Sequence, residues 1–292
     1  GFFGNDGIKQ RLSAACAQGR FSHCYLICGP KGSGKHTLAR IIAAAMECTG
    51  TGDAPCGVCH ACRKAFGGQH PDIITVDDTE HKNVAVDVIR DARADVFIRP
   101  NEGKRKIYII PRAQDMGAAS QNALLKILEE PPAYAAFLLL TDHAEKLLPT
   151  IRSRCAELHL SPVAREPALA FLHQCEPKQP QSALESAYVR AGGFLGQALA
   201  LLQSGYAPQT ADFAAAYVSG DTMALLRVLL PMEKQKRNDL IPILQEWRAL
   251  LCDALAAKSG MPAASAEAAA ICQSRTSTQL LRTAQNMQTA MD

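Results

Sequence analysis

Aromatic residues are scarce in this chain, 5% of 292 with a single Trp, while almost half of the residues are apolar. Few rings and frequent Ala and Leu argue against a β-sandwich and for a helix-rich α/β protein. Apolar runs are all too short to cross a bilayer. The first residues, Gly1 to Ile8, lack a basic region followed by an apolar stretch, so a cytoplasmic protein without membrane contact is expected. An excess of charge is also missing. The 31 Lys and Arg stand against 28 Asp and Glu, a net of +3, and the two signs are interspersed. No polycationic surface is legible, and contact with DNA is expected only indirectly or shared with partners.

Cysteine, by contrast, is plentiful, with 11 residues. Seven of them, Cys16, Cys24, Cys28, Cys155, Cys175, Cys252 and Cys272, are scattered and read as small apolar residues. The other four, Cys48, Cys56, Cys59 and Cys62, have the spacing C-x7-C-x2-C-x2-C. Gly52, Pro55 and Gly57 supply turns between them. Four thiolates gathered this tightly in a reduced setting predict a tetrahedral structural Zn²⁺ site. An iron–sulfur cluster is the rival, because C-x2-C-x2-C opens the bacterial ferredoxin run. That run continues to a further Cys and Pro, whereas Arg63-Lys64-Ala65-Phe66 follows here. His60 reads as a bystander.

The chain is long enough for two or three packed units. Short apolar runs at Tyr25 to Cys28, Ile73 to Val76, Ile107 to Ile110 and Phe137 to Thr141 alternate with helical patterns. This predicts a parallel sheet with crossover helices. Breaks at Ser161-Pro162 and at Ser204 to Pro208 divide the chain into an α/β unit over 1–160 and two helical units over 161–204 and 205–292. Pro262 to Ala270 is Ala-rich and reads as helix. Leu280 to Asp292 is helix-like with no cap, as in a chain cut within the last unit.

Gly29-Pro30-Lys31-Gly32-Ser33-Gly34-Lys35-His36-Thr37 follows a strand pattern and opens a helix, the context of a P-loop. Gly29, Gly32 and Gly34 let backbone N–H groups curl round a phosphate that Lys35 neutralises. The next position requires a hydroxyl for Mg²⁺ and holds His36 instead. Thr37 comes one residue late, about 100° round the helix. The strand ending at Ile110 runs into Pro111-Arg112, where an ATPase needs carboxylates, and Asp115 lies beyond them. ATP and Mg²⁺ are therefore expected to bind weakly or not at all, with no intrinsic ATPase activity.

Several stretches resemble the delta-prime clamp-loader subunits of bacterial DNA polymerase III. They are His23-Cys24-Tyr25-Leu26, the four-Cys insertion, His70-Pro71-Asp72-Ile73, Lys104 to Ile110, Gln121 to Lys126, Leu128-Glu129-Glu130-Pro131-Pro132 and Leu147 to Cys155. The resemblance spans nearly the whole chain. It implies an AAA+ P-loop domain with a zinc insertion at 48–62, a helical lid and an all-α collar that oligomerises. It also implies gamma/tau and delta subunits as partners in a hetero-pentamer. Through that complex the chain would meet the sliding clamp and primed DNA as part of the holoenzyme, a DNA-directed DNA polymerase. In that family Ser153-Arg154-Cys155 presents an arginine finger, here Arg154 with Ser153, to ATP bound by the neighbouring subunit. Gly196 stands where ATPase relatives carry a lid arginine, and Thr141 matches a sensor position.

Two alternatives belong to other classes. A gamma/tau-type ATPase would tolerate His36, Pro111 and Arg112. A DNA-reading zinc module would use Lys31, Arg63, Lys64, Lys104, Arg105 and Lys106, a modest basic set.

Overall fold

A computed structural model describes residues 2–78, 83–204, 208–235, 237–261 and 263–291. The chain divides into two compact units, Gly1–Pro162 and Val163–Asp292.

In the first unit the elements run α1 (Asp6–Ala17), β1 (Cys24–Cys28), α2 (Lys35–Glu47), α3 (His60–Phe66), β2 (Ile73–Thr75) and α4 (Val86–Asp95). They continue with β3 (Lys106–Ile110), α5 (Ala118–Glu129), β4 (Ala135–Thr141), α6 (Pro149–Arg152) and β5 (Ala156–His159). Five strands form one sheet in the order β2-β3-β4-β1-β5, and every pairing is parallel. β1, β3 and β4 are buried along their whole length. Strands covered by helices on both faces read as continuous apolar runs, which is why these three are visible in the sequence.

Successive side chains go to opposite faces. Leu26, Tyr108, Ile110, Phe137 and Leu139 pack with Ile89 of α4 and Leu124, Ile127 and Leu128 of α5. Tyr25, Ile27, Ile107, Ile109, Leu138 and Leu140 pack with Ile8 of α1 and Leu38, Ile42 and Met46 of α2. The result is a three-layer helix–sheet–helix sandwich.

β5 was not expected. The apolar runs in the sequence name no strand after Phe137 to Thr141, whereas Ala156–His159 pairs with β1 at the sheet edge, Tyr25 opposite Ala156 and Ile27 opposite Leu158. Only Leu158 of its four residues is buried, so it carries no apolar run to read.

The second unit contains α7 (Arg165–Cys175), α8 (Gln181–Arg190), α9 (Leu195–Ser204), α10 (Pro208–Ser219), α11 (Thr222–Leu229), α12 (Arg237–Lys258), α13 (Ala266–Ser274) and α14 (Ser277–Met291). No strand occurs in it among the described residues. It has two apolar clusters. Leu172, Leu184, Ala187 and Ala198 form one. Trp247, Leu250, Leu251, Phe213, Ile271 and Leu280 form the other, with Phe213 stacked on Trp247 at 4.3 Å. The helix read at Pro262 to Ala270 begins at Ala266, where Ser265 Oγ accepts from Ala268 N at 3.0 Å; Pro262 itself lies outside the described residues. The break read at Ser204 to Pro208 falls largely outside them as well.

No described helix is long and apolar enough to cross a membrane.

Candidate functional site: a phosphate loop, a cysteine cluster and a surface arginine

The parallel register aligns the C-terminal ends of β1 and β4, with Cys28 opposite Thr141. The loop at 29–34 and the turn at Asp142 therefore leave the sheet side by side, at the edge where parallel α/β sheets bind ligands. Gly34 caps α2 with φ +94°, a left-handed conformation that suits glycine and turns the loop into the helix. Lys35 is buried at the start of α2. Its ammonium donates to Gly29 O at 2.7 Å and Pro30 O at 3.0 Å and pairs with Asp142 Oδ1 at 2.5 Å. Three acceptors thus engage all three of its protons. Asp142 was not singled out in the sequence, because nothing in its neighbourhood marks a turn residue as facing a lysine more than a hundred positions away.

His36 and Thr37 are exposed on the first turn of α2. Although His36 is exposed as a residue, partial desolvation of its ring by the surrounding chain, with the nearby Lys35 and Arg40 charges, lowers its pKa and outweighs Asp77 and Asp142. The imidazole is accordingly neutral at physiological pH. At the end of β3, Arg112 donates through Nε and Nη2 to Asp77 Oδ1 at 3.2 and 2.8 Å and also reaches Asp78 O. A cation thus stands at the strand end where magnesium-dependent ATPases present acids, and it engages the carboxylate of Asp77 beyond β2. Thr141 is buried, with its Oγ1 accepting from His143 N at 3.1 Å. Gly196 lies in the first turn of α9.

Cys48 terminates α2, Cys59 caps α3, Cys62 sits on α3 and Cys56 lies in the loop between these helices. Their four Sγ atoms all lie within 4.8 Å of one another. Thiolates at roughly 2.3 Å from a tetrahedral zinc stand about 3.8 Å apart, so the cage needs a contraction of about 1 Å at its widest. Backbone N–H groups of Cys56, Cys59 and Cys62 point at the sulfurs of Cys48, Cys56 and Cys59 at 3.5, 3.4 and 3.4 Å. Such bonds stabilise thiolates. The N–H groups of Cys62 and Thr49 bring Cys59 down to about 5, whereas burial pushes Cys62 up to about 12. Gly50 completes the cage, since a Cβ there would stand 2.7 Å from Cys56 Sγ and 3.7 Å from Cys48 Sγ. The sequence reading had chosen Gly52 and Gly57 and missed Gly50. The donor set and its spacing fit a metal such as zinc. His60 is exposed and outside the cluster.

Two buried carboxylates fix the surroundings. Asp72, the acid of the His70-Pro71-Asp72 stretch, accepts from the N–H groups of Asn101, Glu102 and Gly103 at 2.6, 2.9 and 2.7 Å. Glu47, just before Cys48, accepts from Lys104 N and Arg105 N, both at 2.8 Å. The loop at 101–105 is thereby tied to the end of α2 and the cysteine cluster. The basic set does not gather into one solvated patch: Lys106 is buried against Asp95 Oδ1 at 2.8 Å, and Lys64 pairs with Glu102 at 2.7 Å.

Ser153 caps α6, with its Oγ donating to Thr150 O at 3.1 Å. Arg154 donates through Nη1 to Thr150 O at 2.9 Å and pairs through Nη2 with Glu129 Oε1 at 3.2 Å. Its side chain is 36% exposed. Arg152 turns to β5 instead and pairs with Glu157 at 2.9 Å. Gln121 of α5 holds the approach to α6, donating to Met116 O and Lys146 O and accepting from Leu148 N at 2.8 Å.

Residues 4–164, more than half of the chain, match the family described as DNA polymerase III, delta subunit. The DNA polymerase III subunit tau of Salmonella typhimurium is 39% identical over 158 residues, 54% of this chain and 24% of that protein. Subunit delta' from Pseudomonas aeruginosa is 33% identical over 236 residues, covering 80% of this chain and 70% of that one. A gamma subunit-related protein of DNA polymerase III from Thermotoga maritima superposes with a TM-score of 0.49 and 15% identity, over 96% of this chain and 99% of that one. The chain spans only about a quarter of the tau subunit's length. By the family match and the coverage of the delta' relative, the chain belongs to the clamp-loader AAA+ subunits of DNA polymerase III.

Proposed function

We propose that this chain is a delta-prime-type subunit, a stator that does not hydrolyse ATP and lends Arg154 to ATP held by a neighbour. The observation that carries the reading is the state of the phosphate loop, whose Lys35 is engaged by Asp142 and two backbone carbonyls. His36 replaces the magnesium hydroxyl, and Arg112 occupies the strand end where an acid would hold the metal. Phosphate binding at Gly29, Gly32, Gly34 and Lys35 would first require displacement of Asp142. Cys48, Cys56, Cys59 and Cys62 would hold one structural Zn²⁺.

In this reading Arg154 acts in trans. Its attachment to Thr150 and Glu129 holds the guanidinium at the surface of the first unit, where its side chain is partly exposed. A guanidinium so offered stabilises charge on a transferring phosphoryl group in an adjacent subunit. The helices from α7 to α9 would form the lid and those from α10 to α14 the collar, with gamma/tau and delta subunits as ring partners and the clamp and primed DNA reached through the complex. Mixing the chain with gamma/tau and delta subunits and weighing the product by native mass spectrometry tests this. A hetero-pentamer with one copy of this chain is expected, and the absence of any complex would refute it.

A gamma/tau-type ATPase is the second reading, favoured by the 39% identity to a tau subunit and by the carboxylates of Asp77 and Asp142 near the loop. Steady hydrolysis by the isolated chain would decide for it.

A further inference from the structure

Two of the scattered cysteines meet. Cys24 Sγ and Cys155 Sγ are 3.0 Å apart, although 131 positions separate them in the chain. The juxtaposition follows from the sheet. Tyr25 is opposite Ala156 in the parallel pairing of β1 with β5, so one step back along both strands brings Cys24 opposite Cys155. Neighbouring strands lie roughly 4.8 Å apart, inside the Cα separation of about 4.4 to 6.8 Å that a disulfide spans. Both side chains face the same apolar cluster.

We propose that Cys24 and Cys155 are a redox-modification site, closing to a disulfide when the protein meets a two-electron oxidant of the peroxide class. The roles of the two sulfurs differ. Cys24 is fully buried, whereas Cys155 is partly exposed and its thiol donates to Ile151 O at 3.1 Å. Cys155 therefore meets the oxidant first. As the Cys155 thiol gives up its proton, its sulfur attacks one peroxide oxygen, the O–O bond breaks, and the departing hydroxide takes that proton, leaving a sulfenic acid on Cys155 and one water. Cys24 sulfur then attacks Cys155 sulfur, the S–O bond breaks, and hydroxide leaves with the Cys24 proton as a second water. Two thiols and one peroxide give one disulfide and two waters. Burial and the Cys155 thiol push the Cys24 pKa well up, so Cys24 is inert toward oxidants in solution and serves as the resolving sulfur.

The bond would fasten the turn that carries Ser153 and Arg154 to the first residue of β1. Disulfides in reducing compartments are characteristically transient and redox-sensing. The bond itself does not depend on the role assigned to Arg154.

The test uses the full zinc-replete chain, treated with hydrogen peroxide, denatured in an alkylating reagent and digested with trypsin. Peptide mass spectrometry should show a cross-link between the segments containing Cys24 and Cys155, with fragmentation placing it on Cys24 and not Cys28, and dithiothreitol should remove it. In Cys24→Ala the cross-link should vanish and Cys155 should proceed to sulfinic acid. In Cys155→Ala, Cys24 should stay reduced and alkylatable. Cys24 remaining alkylatable in the wild-type chain while Cys155 is over-oxidised would overturn the proposal, as would a Cys155 cross-link to any other cysteine.

Discussion

Replacing Asp72 by Asn changes one buried oxygen into an amino group and should loosen the loop that braces the cysteine cluster. Asp72 Oδ1 accepts from Asn101 N and Nδ2, and Oδ2 accepts from Glu102 N and Gly103 N. An Asn can satisfy only one of these pairs, because its amide nitrogen must face the other. Hydrogen bonds to a charged group contribute about 1.5–3 kcal/mol each, and a stranded buried donor costs a similar amount. Allowing for relaxation, Asp72→Asn should cost about 3 kcal/mol, a drop of about 6–12 °C in the melting temperature of the first unit.

The pH dependence has a definite sign. Burial pushes the Asp72 carboxyl up, but the N–H groups of Asn101, Glu102 and Gly103 outweigh it and hold the group below its ordinary 3.8. A depressed folded pKa gives stability that is present above the unfolded value and lost as pH falls through the folded one. The gap between wild type and variant should therefore stay constant from about pH 7 to about pH 5 and close only at more acid values. Glu47 behaves oppositely, since burial raises its pKa despite the N–H groups of Lys104 and Arg105. Its contribution is largest below the unfolded value and fades as pH rises, so Glu47→Gln should cost less than Asp72→Asn at neutral pH. Differential scanning fluorimetry of zinc-replete protein reads both. A drop below about 2 °C for Asp72→Asn, or a gap that widens on acidification, would refute the reasoning.

Other outcomes can be checked in parallel. Freshly purified protein should contain one zinc per chain by elemental analysis, and Gly50→Ala should lower that content while a change at exposed His60 leaves it unaltered; less than about half an equivalent in the wild type, or visible iron–sulfur absorption, would defeat the zinc assignment. The isolated chain should show no ATP turnover, and a rate of about 1 per second or more that disappears in Lys35→Ala would favour the gamma/tau reading. Asp142→Asn should release Lys35 and tighten inorganic phosphate binding by about tenfold, equivalent to roughly 1.4 kcal/mol; unchanged binding in an equilibrium titration would mean that Asp142 does not guard the loop.

The parts of this fold legible in the sequence are those in which one stretch of residues carries its own signal. β1, β3 and β4 are buried throughout, and apolar apart from the terminal Lys106 and Thr141, because both faces are covered. The four cysteines announce themselves by spacing, and Gly29 to Lys35 by its run of glycines. What escaped notice depends on partners distant in the chain. In β5 the partly buried Glu157 pairs with the exposed His159 at 2.9 Å, and the strand is ordered by the one it joins. Asp142 matters because the register places it against Lys35, Gly50 because Cys56 folds back over it, and Cys155 because β5 exists. Asp72 stood out only as part of the His70-Pro71-Asp72-Ile73 resemblance and Glu47 carried no signal of its own, because their work on residues 101–105 is a property of the folded loop.

The central claim, that this chain serves a neighbour's ATP and not its own, rests most directly on Arg154. It should be replaced by Ala in the loader reassembled from this chain with gamma/tau and delta subunits, and clamp-stimulated ATP hydrolysis measured. Arg152→Ala is the control, carrying the same charge two residues away but bound to Glu157 within the subunit. Arginine fingers supplied in trans contribute on the order of 10³-fold or more in GTPases, and a ring with several sites will lose less than that from one. Arg154→Ala should assemble normally and lower turnover clearly below that of Arg152→Ala. Turnover at the wild-type level in Arg154→Ala, or an equal loss in Arg152→Ala, would contradict the account.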